Sequence, residues 1–172
     1  MRLRSSKLHA KFIAVLLLAG PATIVTPVVA TTARAAVPVA SAPAQGVIRQ
    51  RSDYGFDETV QRLKADIAAK GIRFFDEIDH AKLGAGADLP INRSTLLLFG
   101  NPPLGVQFLQ SNPLAGLDWP VRMLVTQDDN GVVWVSWTDF RFVASRYQLT
   151  DRAAQISMAS EVAASIASAT RK

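Results

Sequence analysis

Leu96 to Val125 reads LLLFGNPPLGVQFLQSNPLAGLDWPVRMLV, and the fold turns on how this stretch is divided. A short apolar run from Ser94 to Phe99 stops at Gly100-Asn101-Pro102-Pro103. A run of that length has no periodicity that separates strand from helix, but the Gly-Asn-Pro-Pro stop decides for a strand. The ring of Pro102 holds Asn101 out of the helical region. Pro103 suits a first helical position, where a missing N–H costs nothing. The spacing predicts a helix of about two turns from Leu104 to Gln110, ended by Asn112-Pro113. Its exposed N-terminal amides form a candidate anion seat. Asp118 is placed to cap amides at the following turn, and Pro120 begins a second strand rather than interrupting one. Two buried strands joined by a proline-fixed crossover make a core on which the rest packs.

Working outward toward the C-terminus, Val121–Thr126 and Val132–Trp137 flank Asp128-Asp129-Asn130-Gly131, and Asn-Gly is the strongest short hairpin signal. Trp134 and Trp137 fall on opposite faces of their strand, so at most one enters the core; the other lines a dimer contact or a ligand cleft. The aromatic segment DFRFVASRY, Asp139–Tyr147, helps cover the sheet. Arg152–Lys172 favours helix but carries only a thin apolar stripe of Ile156, Met158, Val162 and Ile166. It is expected to be loosely held, fraying at its end. Toward the N-terminus, Val47–Ser52 reads as a first strand and Asp57 as the cap of a helix with Val60, Leu63 and Ile67 on its buried stripe. Gly71 ends that helix in a left-handed position. Ile72–Ile78 is a second strand in which Asp76 shares parity with Ile72, Phe74 and Ile78, an irregularity in the alternation. Asp79-His80 begins a short turn or helix.

The chain has 172 residues, no cysteine and a formal charge of +5. Residues 1–35 read as a secretory signal peptide, with a basic start followed by the apolar run FIAVLLLA, Phe12–Ala19. Ala33-Arg34-Ala35 marks cleavage after Ala35, with Ala30 as the alternative. A retained anchor is the competing reading, because Phe12–Ala30 nears the ~20 residues a spanning helix needs. Its two prolines, its glycine and the Ala/Thr tail beyond weigh toward cleavage. Of the 19 basic residues, five (Arg2, Arg4, Lys7, Lys11, Arg34) precede Ala36, and none of the 14 acids does, leaving 14 bases against 14 acids. The mature domain is therefore neutral, which argues against a nucleic-acid partner. Residues 36–46 read as an Ala/Pro/Val/Ser linker, 47–150 as one folded domain and 151–172 as a C-terminal helix.

Ile78-Asp79-His80-Ala81, Leu98-Phe99-Gly100-Asn101-Pro102, Leu117-Asp118-Trp119-Pro120 and Gly131-Val132-Val133-Trp134-Val135-Ser136, in this order and spacing, resemble the bacterial family called domain of unknown function, number 302. The resemblance runs from about Ser52 to Leu149. It implies a single α+β domain, a curved antiparallel sheet with helices on one face, similar to the TATA-binding-protein-like fold. It implies no DNA binding, since a fold does not carry function with it. Two departures stand out. Gly105 is followed by Val106-Gln107-Phe108 where the family has Gly-Thr and a Leu/Met pair, and Arg146-Tyr147 stands where the family often has Arg-His.

Four residues are candidates for a ligand site: His80, Asn101, Asp118 and Arg146. His80, flanked by Asp76, Glu77 and Asp79, has the make-up of a proton-transfer pair, against the plainer reading of a histidine at a strand end. Asn101 either serves the turn or faces a ligand. Asp118 either caps or partners a site, and Arg146 either grips an anion or makes an ordinary ion pair. One mature histidine and no cysteine do not supply a metal's three or four ligands, and no cofactor fingerprint or nucleophile motif is visible. The sequence therefore predicts an exported periplasmic or secreted domain, with no membrane span after cleavage. It binds a small ligand or an envelope protein without catalysis, with a homodimer through a sheet edge or the hairpin. The alternative is a hydrolase- or isomerase-like enzyme using His80 and a carboxylate in a cleft near Asn101 and Arg146. A third reading has the helix after Arg152 docking a partner.

Overall fold

The structure, a computed structural model, describes residues 45–172; the leader, its cleavage point and residues 36–44 of the linker lie outside the described residues. Five strands form one antiparallel sheet in the order β1-β5-β4-β3-β2. In chain order they are β1 Val47–Arg51, β2 Arg73–Asp79, β3 Ser94–Gly100, β4 Val121–Gln127 and β5 Val133–Thr138. The first two lie on opposite edges, so α1, Phe56–Ala69, crosses the sheet to join them. Helix α2, His80–Gly86, links β2 to β3. Helix α3, Pro102–Ser111, and a 3-10 turn, Pro113–Asp118, link β3 to β4. Helices α4, Phe140–Tyr147, and α5, Ala153–Ser168, complete the chain.

Alternation along the strands shows where the core sits. Leu97 and Phe99 of β3, Met123 and Val125 of β4, and Val133, Val135 and Trp137 of β5 are buried on the helix-covered face. Leu96, Leu98, Leu124 and Trp134 point the other way and are only partly covered. Trp137 is thus the core tryptophan; Trp134 lies under the Arg49 guanidinium, 3.9 Å from the ring centre, and donates its indole N–H to Asp128 at 2.9 Å. Helix α1 presents Phe56, Thr59, Val60, Leu63 and Ile67 to the sheet at helical spacing. Burying each large apolar side chain of this kind stabilises by about 1.5–3 kcal/mol. The β4–β5 hairpin closes as expected, with Gly131 at a φ of 77° and its N–H donating to the Asp128 carbonyl at 2.9 Å.

Three local expectations are corrected. The cap of α1 is Gly55, not Asp57, whose carboxylate is paired with Arg93 instead. The parity conflict at Asp76 is a β-bulge: Phe74 pairs with Phe99 on the core face, whereas Asp76 pairs with Leu98 and Ile78 with Leu96 on the open face. The one extra residue rotates the rest of β2 by half a period.

The third correction concerns the C-terminus. Helix α5 buries Ile156, Ala159, Ala163, Ile166 and Ala167, so this face packs on its own domain. Beyond it, Thr170 is fully buried, and its carbonyl accepts from the Asp53 N–H at 2.9 Å. Gln50 donates to the Ala167 carbonyl at 2.8 Å, and Lys172 N–H to the Asp53 carboxylate at 2.9 Å. The segment does not fray because edge strand β1 and its following turn clasp it. Residues 151–172 thus belong to the same compact unit as the sheet.

Candidate functional site

Strand β3 ends, β4 begins and β5 ends at the same end of the sheet, since all three are antiparallel neighbours. Here the chain leaves β3 through Gly100-Asn101 into α3, and α3, α4 and α5 stand over the exposed strand ends. Between them lies a half-open cavity of about 310 Å³, the lower end of the range for small-molecule sites. Phe99 and Val121 form its floor, Leu104 and Phe108 of α3 one wall, and Ala159 and Ala163 of α5 the opposite wall. The alanines are why space remains: a larger residue on that helix face would fill it.

Trp119 lines the cavity, and glycine makes room for it. A Cβ at Gly105 would lie 1.8 Å from the Trp119 indole nitrogen, and one at Gly100 would lie 3.1 Å from it. The indole therefore lies directly against the first turns of α3. Its outer edge meets Phe75, with ring centres 5.8 Å apart at 76°, a favoured edge-to-face geometry.

Asn101 lines this cavity. Its backbone carbonyl accepts from the N–H groups of Leu104 at 3.0 Å and Gly105 at 2.8 Å, but its side chain makes no capping bond. The expected anion seat on the α3 amides is absent: Pro102 and Pro103 have no N–H, and the next two amides are bonded to Asn101. The lining instead includes Asn101 and, from the end of α1, Lys70, whose ammonium is paired with Asp66 at 2.5 Å.

Asp118 and Arg146, distant in sequence, are brought together. Asp118 caps no helix. Its carboxylate accepts from the Tyr147 hydroxyl at 2.7 Å and from Arg146 at 3.3 Å on one oxygen, and is paired with Arg122 on the other. Asp118 is only 8% exposed while Arg146 is 52% exposed, so the acid is the enclosed centre of the cluster. The hydrogen bond to Asp118, together with burial and the nearby negative charge, raises the pKa of the Tyr147 phenol above its ordinary value. Arg122 also donates to the Leu117 carbonyl at 2.8 Å. The cluster thereby ties the 3-10 turn to β4 and α4, and fixes the residue that follows it, Trp119.

His80 is elsewhere. It begins α2 and shares a 3.1 Å hydrogen bond with the hydroxyl of Ser94, the first residue of β3. Asn101 follows the last residue of that strand, so the two are separated by a strand length, roughly 20 Å at the usual rise. The acids flanking His80 are engaged elsewhere too. Asp79 accepts from Lys82 N–H at 2.9 Å, Asp76 from Glu77 N–H at 2.8 Å, and Glu77 pairs with Lys64 at 2.6 Å. The His80–carboxylate pair with Asn101 and Arg146 in one cleft does not form. Among the described residues, no group of three or more potential ligand side chains is placed to hold a metal ion.

Trp119, Gly105, Lys70, Tyr147 and Arg122 were not singled out for the site from sequence. The signal at Gly105 was a glycine inside a helical pattern, which usually has a packing reason. The signal at Trp119 was a large aromatic fixed beside a proline. Lys70 had no signal beyond its place at a helix end.

The fold is similar to the crystal structure of an uncharacterized conserved DUF302 protein from Bacillus stearothermophilus, with a TM-score of 0.68 at 16% identity, covering 74% of this chain and 100% of that one. Curated relatives include a fluoride-specific ion channel, FluC 1, of Brucella suis biovar 1, 32% identical over 112 residues, covering 65% of this chain and 44% of the relative. FluC 2 of Brucella melitensis biotype 1 is also 32% identical over 112 residues, covering 42% of its length. The chain thus spans less than half the length of the curated relatives it matches. Among the described residues no helix is long and apolar enough to cross a membrane. Residues 48–172 match the family described as Domain of unknown function DUF302, and the chain belongs to it.

Proposed function

We propose that this is a non-catalytic domain of the cell envelope that binds a small, largely apolar ligand in the cavity behind Trp119. The observation that carries this reading is the half-open space of about 310 Å³, lined by Phe99, Leu104, Phe108 and the small residues of α5, with few polar groups. Sites for small molecules have this make-up: apolar walls, with a few polar groups that fix orientation. The envelope location rests on the basic-then-apolar leader. The ion channels of which this domain matches less than half support an accessory role, a binding unit that also occurs joined to a membrane protein.

The test is saturable binding of the neutral apolar dye N-phenylnaphthylamine, followed by its emission. Wild-type protein binds it, and Ala163→Phe, which places a ring in the cavity from α5, abolishes binding while circular dichroism stays native. Absence of dye binding to wild type, or equal binding by a folded Ala163→Phe variant, overturns the reading.

A further inference from the structure

We infer that the uncovered face of the sheet is an interface with a second copy of this chain, two sheets packing face to face about a two-fold axis parallel to β4. Helices α1, α3, α4 and α5 each bury residues in the single core on the other face, whereas α2 buries none. The strand register gives the make-up of the face that remains. Ile78, Leu96, Leu124, Ser136 and Arg49 stand side by side across all five strands. Asp76, Leu98 and Arg122 form the next row on one side, and Trp134 and Arg51 stand paired on the other. Ile78, Leu96, Leu98, Leu124 and Trp134 are all partly exposed, so the centre of the face is apolar and has no layer over it. The charges lie at its margins: Arg49 and Arg51 on β1, and Asp76 on β2 with Arg73 at the start of that strand. Arg122, at the end of β4, is already paired with Asp118. An apolar centre inside a polar rim is the anatomy of a protein interface.

Size and charge both fit a second copy. Five strands about 4.8 Å apart, each about 20 Å long, make a face of roughly 20 by 20 Å. With the relief of its side chains that face is of the order of the ≈800 Å² that each partner of a stable dimer covers, and two such faces interleave as in a sandwich. The middle strand is β4, and Leu124 is the middle residue of its open side. An axis parallel to β4 lays Leu124 against its own copy, β3 over β5 and β2 over β1. The Asp76 margin then meets the Arg49–Arg51 margin of the other copy, and none of these three side chains has an ion-pair partner among the described residues. An axis across the strands would instead set the two arginine margins against each other. The interface lies on the sheet face opposite the cavity, so the two are independent.

The experiment is sedimentation equilibrium of the purified chain across a dilution series. Wild type runs as a dimer that dissociates on dilution. Leu124→Asp sets like charges against each other at the axis and runs as a monomer with native circular dichroism. Arg49→Glu and Asp76→Arg, both at exposed positions that leave the core intact, each weaken the dimer several-fold, and the double variant recovers affinity over either single one. Leu89→Ser, on the exposed loop before β3, leaves the dimer unchanged. A wild type that is monomeric throughout overturns the inference, as does a folded Leu124→Asp variant that stays dimeric. Should Leu124→Asp fail to fold, the marginal variants decide: a dimer indifferent to both charge reversals overturns the assignment of this face. Loss of the dimer in Leu89→Ser moves the interface to that loop and overturns it too, and a double variant weaker than both single ones overturns the axis parallel to β4.

Discussion

Gly105→Ala tests the packing that builds the site. In an ordinary helix this substitution stabilises, because alanine exceeds glycine in helix propensity by about 0.8–1.0 kcal/mol. At this position the new Cβ would lie 1.8 Å from Trp119 Nε1 and 2.3 Å from Cε2. Carbon contacts relax only at about 3.5–4.0 Å, so the indole must retreat by roughly 1.5–2 Å. Trp119 is held on its other side by Phe75, and in sequence by Asp118, whose carboxylate is tied to three donors. Overpacking of this kind costs about 1–3 kcal/mol. Gly86→Ala is the control: it lies in α2, and its Cβ would meet nothing within 4 Å. Its helix-end position trims the propensity gain but leaves it favourable. The two variants share their chemistry and differ in what the methyl meets. Gly105→Ala should therefore be less stable than Gly86→Ala by about 1–3 kcal/mol, roughly 3–10 °C in melting temperature for a domain of this size. Urea unfolding followed by circular dichroism measures the difference, and tryptophan emission reports the indole's displacement. Equal stabilities with unchanged emission would mean that Trp119 does not rest on α3, and the description of the cavity would fail with it.

Three further outcomes follow from the same contacts. The Tyr147 phenol is raised in the folded state, first by its hydrogen bond to Asp118, so its stabilising share is full below the ordinary tyrosine pKa of about 10 and is lost as pH rises through the folded value; Tyr147→Phe should flatten the alkaline fall in stability, and an unchanged alkaline limb would refute the link. Deleting residues 169–172 removes fully buried Thr170 and the acceptor of the Asp53 N–H; the melting temperature should fall and the Asp53 amide should lose protection from hydrogen exchange, against no change for a frayed tail. His80→Ala loses one partly buried hydrogen bond to Ser94, so stability should fall by no more than about 1 kcal/mol and dye binding should stay at wild-type strength; a lost binding signal in a folded variant would return His80 to the site.

The elements that were legible in the sequence carry local signals with one meaning. Gly71 ends α1 because its φ of 63° suits glycine, and the Val60-Leu63-Ile67 stripe faces the sheet as its spacing requires. The Asn130-Gly131 pair turned the chain into a hairpin. The family resemblance supplied the arrangement of these pieces into an antiparallel sheet with helices on one face. What was missed has no local signature. A bulge at Phe74–Asp76 is a decision of strand pairing, visible only once Leu98 and Phe99 stand opposite. The thin stripe of Ile156, Met158, Val162 and Ile166 understates the hold on α5, because it leaves out the alanines. Ala159, Ala163 and Ala167 are instead buried by close approach, which small side chains permit. The final anchor, Thr170 against Asp53, joins residues that nothing in the sequence associates.

The candidate site follows the same division. Reading polar residues singled out His80, Asn101, Asp118 and Arg146, and the fold sorts them into three roles: a strand-end hydrogen bond, a cavity wall and a pair within an ionic latch. The cavity itself is a subtraction, space left where Gly105, Ala159 and Ala163 face Phe99, Phe108 and Trp119, and no motif announces missing volume. The departure at Arg146-Tyr147 also changes meaning. Where the family often carries histidine, the Tyr147 hydroxyl donates to Asp118 at 2.7 Å, a task that an imidazole N–H also performs. The substitution preserves a donor to an enclosed carboxylate. Tyr147 faces the latch beside Trp119 and does not line the cavity. The size of that space is set by small residues: Gly105 leaves room for Trp119, and Ala159 and Ala163 line the side made by α5.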